Sequence, residues 1–195
     1  MLILASKSQT RVQLLQNAGY QFEAIPARID EREVEERAQK NSPTQSEMTI
    51  ELAKAKAIDV SKTHPQALVI GADQTLQFND KYLHKSASFE ALRQQLERLR
   101  GQTHMLCSSA VLVKNGEVLW STASISKMTM RAFSDQERDK VVELEGEKLL
   151  KSVGGYRLEG PSIRLFEKID GDYFTILGLP LLPLVAALNT YLSAQ

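Results

Sequence analysis

Short apolar runs of strand length alternate with stretches of helical periodicity along most of this chain. That alternation restricts it to an α/β architecture before any single residue is weighed. Residues 2–5 (LILA) have the length of a buried strand. Ser6-Lys7-Ser8 follows, and then Val12, Leu15 and Ala18 recur at three-residue steps, with Gly19 where a helix C-cap glycine belongs. Residues 22–26 read as a second short strand, and Ile29-Asp30-Glu31 opens a polar loop to about Asn41. Ser42 as cap, Pro43 at the first helical position and Gln45 in a capping-box pattern start a helix that runs to about Ser61. Residues 67–72 (ALVIGA) form another apolar strand, ending at Asp73.

Farther along, Asn79-Asp80 turns a short hairpin, and Leu92, Leu96 and Leu99 mark an amphipathic helix stopped by Gly101. Residues 105–113 and 118–130 read as strands joined at Asn115-Gly116, a strong hairpin signal. Ser134-Asp135-Gln136-Glu137 is a second capping box. Short strands are expected around 156–158, 163–169 and 174–177, then a helix from about Pro180. The expected fold is α/β with a mixed sheet. At 195 residues the chain is long enough for one domain, spanning 1–195, with a proper core that can divide into two lobes.

Charge narrows the partners. Lys+Arg and Asp+Glu are both 24, so the formal net charge is zero. A protein that grips nucleic acid through its backbone carries a basic excess or stripe, and neither is visible. A single cysteine, Cys107, rules out an intramolecular disulfide. Three scattered histidines argue against a Cys/His zinc site. Cys107 reads as a small buried hydrophobe. The N-terminal apolar run is too short for a signal peptide, and no stretch approaches a membrane span of about 20 apolar residues. The expectation is a soluble, cytosolic protein.

Three places carry residues suited to phosphate chemistry, each with a plainer alternative. In Ser6-Lys7-Ser8-Gln9-Thr10-Arg11 a strand gives way to a helix whose N-terminus attracts anions; Ser8 can cap, and Arg11 lies one turn inward, within reach of a phosphate. The alternative is an ordinary capped helix with a solvent-facing arginine. There is no Walker pattern. Asp73, after an apolar strand and Gly-Ala, can hold a metal or activate water, or simply form a turn. Asp30-Glu31 can supply oxygen ligands to Mg²⁺, or be a solvated acidic pair. Lys56 and Lys85 cannot be told from surface lysines by spacing alone. Gly154-Gly155-Tyr156 admits either a close ligand or a turn.

Taken in order, these segments resemble the Maf (septum-formation) family of nucleotide pyrophosphatases. LILASKSQTRVQLL is similar to the family opening L-I-L-A-S-x-S-x-x-R-x-x-L-L. Ile29-Asp30-Glu31 matches V-D-E, residues 52–57 (LAKAKA) match L-A-x-x-K-A, and VIGADQT matches V-I-G-A-D followed by Thr or Gln. GGYRLEG and DGDYFTILGLPL resemble the two closing motifs. The resemblance covers nearly the whole chain. It implies an elongated α/β fold of two lobes with a central cleft, related to inosine triphosphate pyrophosphatases and often dimeric. It implies hydrolysis of a nucleoside triphosphate to the monophosphate and pyrophosphate. Asp73 would then activate the water, Asp30 and Glu31 with Asp73 would hold Mg²⁺ or Mn²⁺, and Ser8, Arg11, Lys56 and Lys85 would bind the triphosphate.

Three positions divide the family by base, and here they are Thr10, Gln74 and Glu159. Gln74 with Glu159 resembles the branch acting on 7-methyl-GTP. Thr10 departs both from that branch, which has an aromatic there, and from the dTTP/UTP branch, which has an arginine. His84 and Ser86 also depart from the G-K-P that usually surrounds Lys85. The competing expectations are a dTTP/UTP-selective pyrophosphatase and a non-catalytic nucleotide-binding regulator of cell division. Retention of Asp73, Lys56 and Lys85 disfavours the regulator.

Overall fold

The computed structural model describes residues 1–41 and 44–193. In chain order the elements are β1 (Leu2–Leu4), α1 (Gln9–Asn17), β2 (Glu23–Ala24), α2 (Glu31–Asn41), α3 (Gln45–Thr63), β3 (Leu68–Phe78), β4 (Lys81–Leu83) and α4 (Phe89–Leu99). Next come β5 (Thr103–Lys114), β6 (Glu117–Met130), α5 (Asp135–Glu145), two 3-10 turns (Gly146–Lys151 and Pro161–Leu165), β7 (Phe166–Asp170), α6 (Tyr173–Ile176) and α7 (Leu181–Ser193). The described strands form a seven-stranded mixed sheet in the order β2-β1-β3-β5-β6-β7, with β4 beside β3. The α/β mixed sheet expected from the alternating pattern is therefore present.

The chain divides into two compact units, Met1–Gln74 with Cys107–Ser124 and Asp172–Gln195, and Thr75–Leu106 with Ile125–Gly171. In the first, β1 pairs in parallel with β2 and with β3, Leu2 opposite Leu68 and Leu4 opposite Ile70. Successive strand residues face opposite sides of a sheet, and both sides here are covered, so the strands are apolar throughout. Leu2, Leu4, Leu68, Ile70, Ala72, Ala110 and Leu112 pack with Leu14, Leu15, Leu184 and Leu188 of α1 and α7. Ile3, Ala5, Val69, Val111 and Val113 pack with Ala53, Ala57 and Val60 of α3. At Gly71 the helix comes so close that a Cβ would lie 2.1 Å from the Ala53 carbonyl oxygen. This parity sends Asp73 towards α3, with Val69 and Gly71, and Gln74 to the other side, with Ile70 and Ala72.

In the second unit, the end of β3 turns back into β4 with Leu76 opposite Leu83, and β7 lies antiparallel to β6. Leu92, Leu96 and Leu99 of α4, Val141 and Val142 of α5, Met128, Met130 and Phe133 are buried.

Many local readings hold. Ser8 caps α1, Gly19 follows it at φ 83°, Ser134 and Glu137 form the expected capping box, and Asn115-Gly116 turns with φ 51° and 77°. Others are corrected. The loop expected over 31–41 is helix α2. The Asp30 carboxylate accepts from the Arg32 and Glu33 amides, and Val34 and Ala38, four residues apart, bury one stripe. Ser42 and Pro43 lie outside the described residues; α3 is capped by Thr44, boxed with Glu47, and runs on to Thr63. Asp73 lies inside β3, not at its end, because the strand continues into the β4 hairpin. The strand expected at 174–177 is helix α6, whose start is imposed by Asp172 accepting from the Thr175 amide and hydroxyl. Residues 156–158 form no strand: Gly155 at φ 71° turns the chain there. In the 163–169 segment a Pro161-initiated 3-10 turn takes the first half and β7 the rest.

Candidate active site

The first unit gathers Glu31, Lys56 and Asp73 around one point. Lys56 lies on the α3 stripe that faces the sheet, one turn beyond Ala53 and beside Ala57, so its ammonium is directed at β3 rather than at solvent. Its Nζ lies 2.5 Å from Asp73 Oδ1 and 3.0 Å from Glu31 Oε1. The Lys56 and Asp73 side chains are only 11% and 10% exposed, against 63% for Glu31. A buried carboxylate and a buried ammonium so placed satisfy each other, as burial of charge demands. Glu31 reaches the pair from the first turn of α2.

Arg11 is the second fixed point. It is buried on α1, where Nε donates to the Gly178 carbonyl at 2.7 Å and Nη1 to the Ala72 carbonyl at 2.9 Å and to Ser6 Oγ at 3.3 Å. Burial pulls its pKa down from the ordinary value, opposed by the charges of Asp73 and Glu31. The side chain expected to reach outward to a phosphate thus spends Nε and Nη1 tying α1 to β3 and to the loop after α6. Ser8 accepts from the Arg11 amide at 3.4 Å, and its own amide donates to Ser6 Oγ at 3.2 Å. Ser6, read from the sequence only as part of the 6–11 segment and given no role of its own, is the shared hub. Thr10 sits in the first turn of α1, half-buried.

Gln74 projects to the other side of β3. Its Nε2 donates to the Thr175 and Ile176 carbonyls at 3.1 and 2.9 Å and to Ser108 Oγ at 3.1 Å. Ser108, also missed in the sequence, donates to the Thr175 carbonyl at 2.7 Å. Asp30 is turned away to cap α2 and does not complete a three-acid site. Among the described residues no group of three or more His, Cys, Asp or Glu side chains could hold a metal ion.

Lys85 and Glu159 belong to the second unit. Lys85 is exposed on the segment between β4 and α4. Glu159 pairs with Arg157, whose Nη2 and Nε lie 2.9 and 3.1 Å from its Oε1. Arg157 Nη1 also lies 3.4 Å from Oε2 of Glu145, a carboxylate 1% exposed that accepts from the Ser162 amide and hydroxyl. Neither Arg157 nor Glu145 carried a sequence signal of its own, because an arginine two residues from a glutamate reads as surface.

The chemistry of the donor set decides whether a divalent metal fits. Asp73 and Glu31 offer hard carboxylate oxygens, and Mg²⁺ is typically held by one or two carboxylates plus substrate phosphates. Formally, Asp73 and Glu31 cancel Lys56 and Arg11, so a triphosphate bound here must arrive with counter-charge of its own. The residues fit a metal that comes with its nucleotide. No described helix is long and apolar enough to cross a membrane.

Comparison with known proteins gives a consistent picture. The family model for Maf-like protein matches residues 1–191. A protein of Brucella abortus biovar 1 (strain 9-941) named 7-methyl-GTP pyrophosphatase is 50% identical over 188 residues, covering 96% of this chain and 94% of its own. One of the same name from Mesorhizobium japonicum (strain LMG 29417 / CECT 9101 / MAFF 303099) is 49% identical over 189 residues, covering 97% and 95%. A nucleoside triphosphate pyrophosphatase of Rhodopseudomonas palustris (strain HaA2) is 46% identical over 189 residues, covering 97% and 93%.

Proposed function

The chain belongs to the Maf-like protein family, and on that premise we propose that it is a nucleoside triphosphate pyrophosphatase whose preferred substrate is 7-methyl-GTP. The observation that carries the reading is the convergence of Asp73 and Glu31 on the Lys56 ammonium. Asp73 takes the proton of the water that attacks the α-phosphorus. The bond from that phosphorus to the bridging oxygen breaks, and pyrophosphate leaves with the bridging oxygen. Lys56 holds the Asp73 carboxylate in place and offers its charge to the phosphates. Asp73 and Glu31 would hold Mg²⁺ or Mn²⁺, which when bound supplies neutralisation of the phosphate charge. Asp30 serves by capping the helix that carries Glu31. Ser8 at the N-terminus of α1 binds phosphate oxygens, while Arg11 contributes charge and fixes the strand–helix junction.

The base preference rests on Glu159 and on the names of the relatives. An ionised carboxylate only accepts, so Glu159 suits the N1–H and N2–H₂ donors of guanine and the positive charge of a 7-methylated ring. Action in the cytosol as a homodimer belongs to the same reading. The test is product analysis with purified protein, Mg²⁺ or Mn²⁺, and 7-methyl-GTP, GTP, dTTP and UTP in turn. Monophosphate and pyrophosphate are expected, with the highest kcat/KM on 7-methyl-GTP. Diphosphate plus inorganic phosphate would refute the attack at the α-phosphorus. A preference for dTTP or UTP would refute the assignment of the base.

A further inference from the structure

Glu159 is not bare. Arg157 stands on its Oε1 through both Nε and Nη2, and the pair is open to solvent, with the two side chains 29% and 28% exposed. The same guanidinium lies 3.4 Å from Glu145 Oε2. Glu145 is rigidly held: its Oε1 accepts from the Ser162 amide at 2.8 Å and from the Ser162 hydroxyl at 2.5 Å. The carboxylate fills the space beside Gly160, where a Cβ would lie 2.8 Å from Oε2. Arg157 therefore has two carboxylates within reach, one buried and immobile, the other half-open on the segment that carries Glu159. A planar, delocalised guanidinium is also a close chemical stand-in for a methylated purinium ring: both are flat, cationic and able to donate to a carboxylate.

We propose that Arg157 is a specificity-determining residue that occupies Glu159 in the absence of substrate and yields it to the cationic base by moving onto Glu145. This rests on the reading of Glu159 as the base-reading carboxylate. Arg157 and a 7-methylated ring compete for the same negative charge, so Arg157 lowers the affinity for a cationic base more than for an uncharged one. Glu145 Oε2 is the second berth that keeps the exchange from stranding a guanidinium without a partner. An exposed pair of this kind contributes little, so the exchange is shallow and its effect on KM is about two- to five-fold.

The experiment measures kcat and KM for 7-methyl-GTP and GTP with wild type, Arg157→Gln, Arg157→Lys, Glu159→Gln and the Arg157→Gln/Glu159→Gln double variant. Glutamine at 157 keeps an amide donor for Glu145, and lysine keeps the cation. Arg157→Gln is expected to lower the KM for 7-methyl-GTP about two- to five-fold, with kcat nearly unmoved and the KM for GTP lowered less. Arg157→Lys is expected to stay near wild type, and in the Glu159→Gln background the effect of Arg157→Gln is expected to vanish. A KM for 7-methyl-GTP that is unchanged or raised by Arg157→Gln overturns the proposal. Equal rises for both nucleotides do so by making Arg157 a phosphate contact. If Glu159→Gln leaves the ratio between the two substrates unmoved, the base-reading role of Glu159 fails and the proposal falls with it. If Glu159→Gln moves the ratio but Arg157→Gln does not, Arg157 alone is wrongly assigned.

Discussion

Truncating Arg11 to alanine should damage the fold as much as the chemistry, which reverses what its place in the opening motif suggests. The residue is 9% exposed, and its guanidinium serves Gly178 and Ala72 carbonyls at 2.7 and 2.9 Å and the Ser6 hydroxyl at 3.3 Å. Its removal leaves two buried carbonyls without their donor, at about 1–3 kcal/mol each. The packing of the aliphatic stem is lost as well. The sum is about 3–5 kcal/mol, at the upper end of single-residue effects. For a chain of this length that is a fall in Tm of about 6–20 °C. Arg11→Lys keeps the charge, but one ammonium cannot span both carbonyls, so it should lose about half as much. Thermal and urea unfolding of wild type, Arg11→Ala and Arg11→Lys read these differences directly. A loss below about 1 kcal/mol for Arg11→Ala would show that the two carbonyls find other donors and that Arg11 is not a structural tie.

Three further outcomes are expected. Asp73→Asn retains an oxygen for Lys56, and Glu31 remains as counter-charge, so the variant should still fold, with a lowered Tm because the buried ammonium loses its carboxylate, while losing about 10²–10⁴-fold in turnover; activity above about a tenth of wild type would remove Asp73 from the role of base. Gly71→Ala places a methyl 2.1 Å from the Ala53 carbonyl and 2.8 Å from Ala57 Cβ, so α3 must lift from β3 at a cost of about 1–3 kcal/mol. The Lys56–Asp73 contact should loosen with it, and an unchanged Tm and kcat would contradict the packing described. His104 is buried beside Tyr156, its Nε2 2.7 Å from the tyrosine hydroxyl, and burial lowers its pKa to about 4. The unfolded chain takes up that proton near pH 6.5. The contribution is therefore complete above pH 6.5 and is lost as pH falls towards 4, by about 3 kcal/mol. Urea melts between pH 7.5 and 4.5 should show a shallower acid loss in His104→Gln, and identical pH profiles would refute it.

What could be read from residue order alone was whatever short-range physics decides. Strand β1, the Asn115-Gly116 hairpin, the Ser8 and Ser134 caps and the Gly19 terminus each depend on a few neighbouring residues, and each is where the pattern puts it. The ordered motifs also sufficed for the family. Tertiary structure decided the rest. Lys56 looked like any helical lysine; only the seating of α3 on β3, at the glycine that lets the backbones touch, turns it onto Asp73. Asp30 and Glu31 are adjacent in sequence yet part company, because the first residue before a helix caps it while the next, on the first turn, is free to project elsewhere. The 31–41 segment reads as loop from its charge, since Val34 and Ala38 supply only a thin apolar stripe that is worth something only once α3 lies against it. Arg11 follows the same rule. Its motif marks an anion-binding helix start, but the carbonyls that claim its guanidinium come from residues 61 and 167 positions away, and no local pattern encodes a partner at that distance.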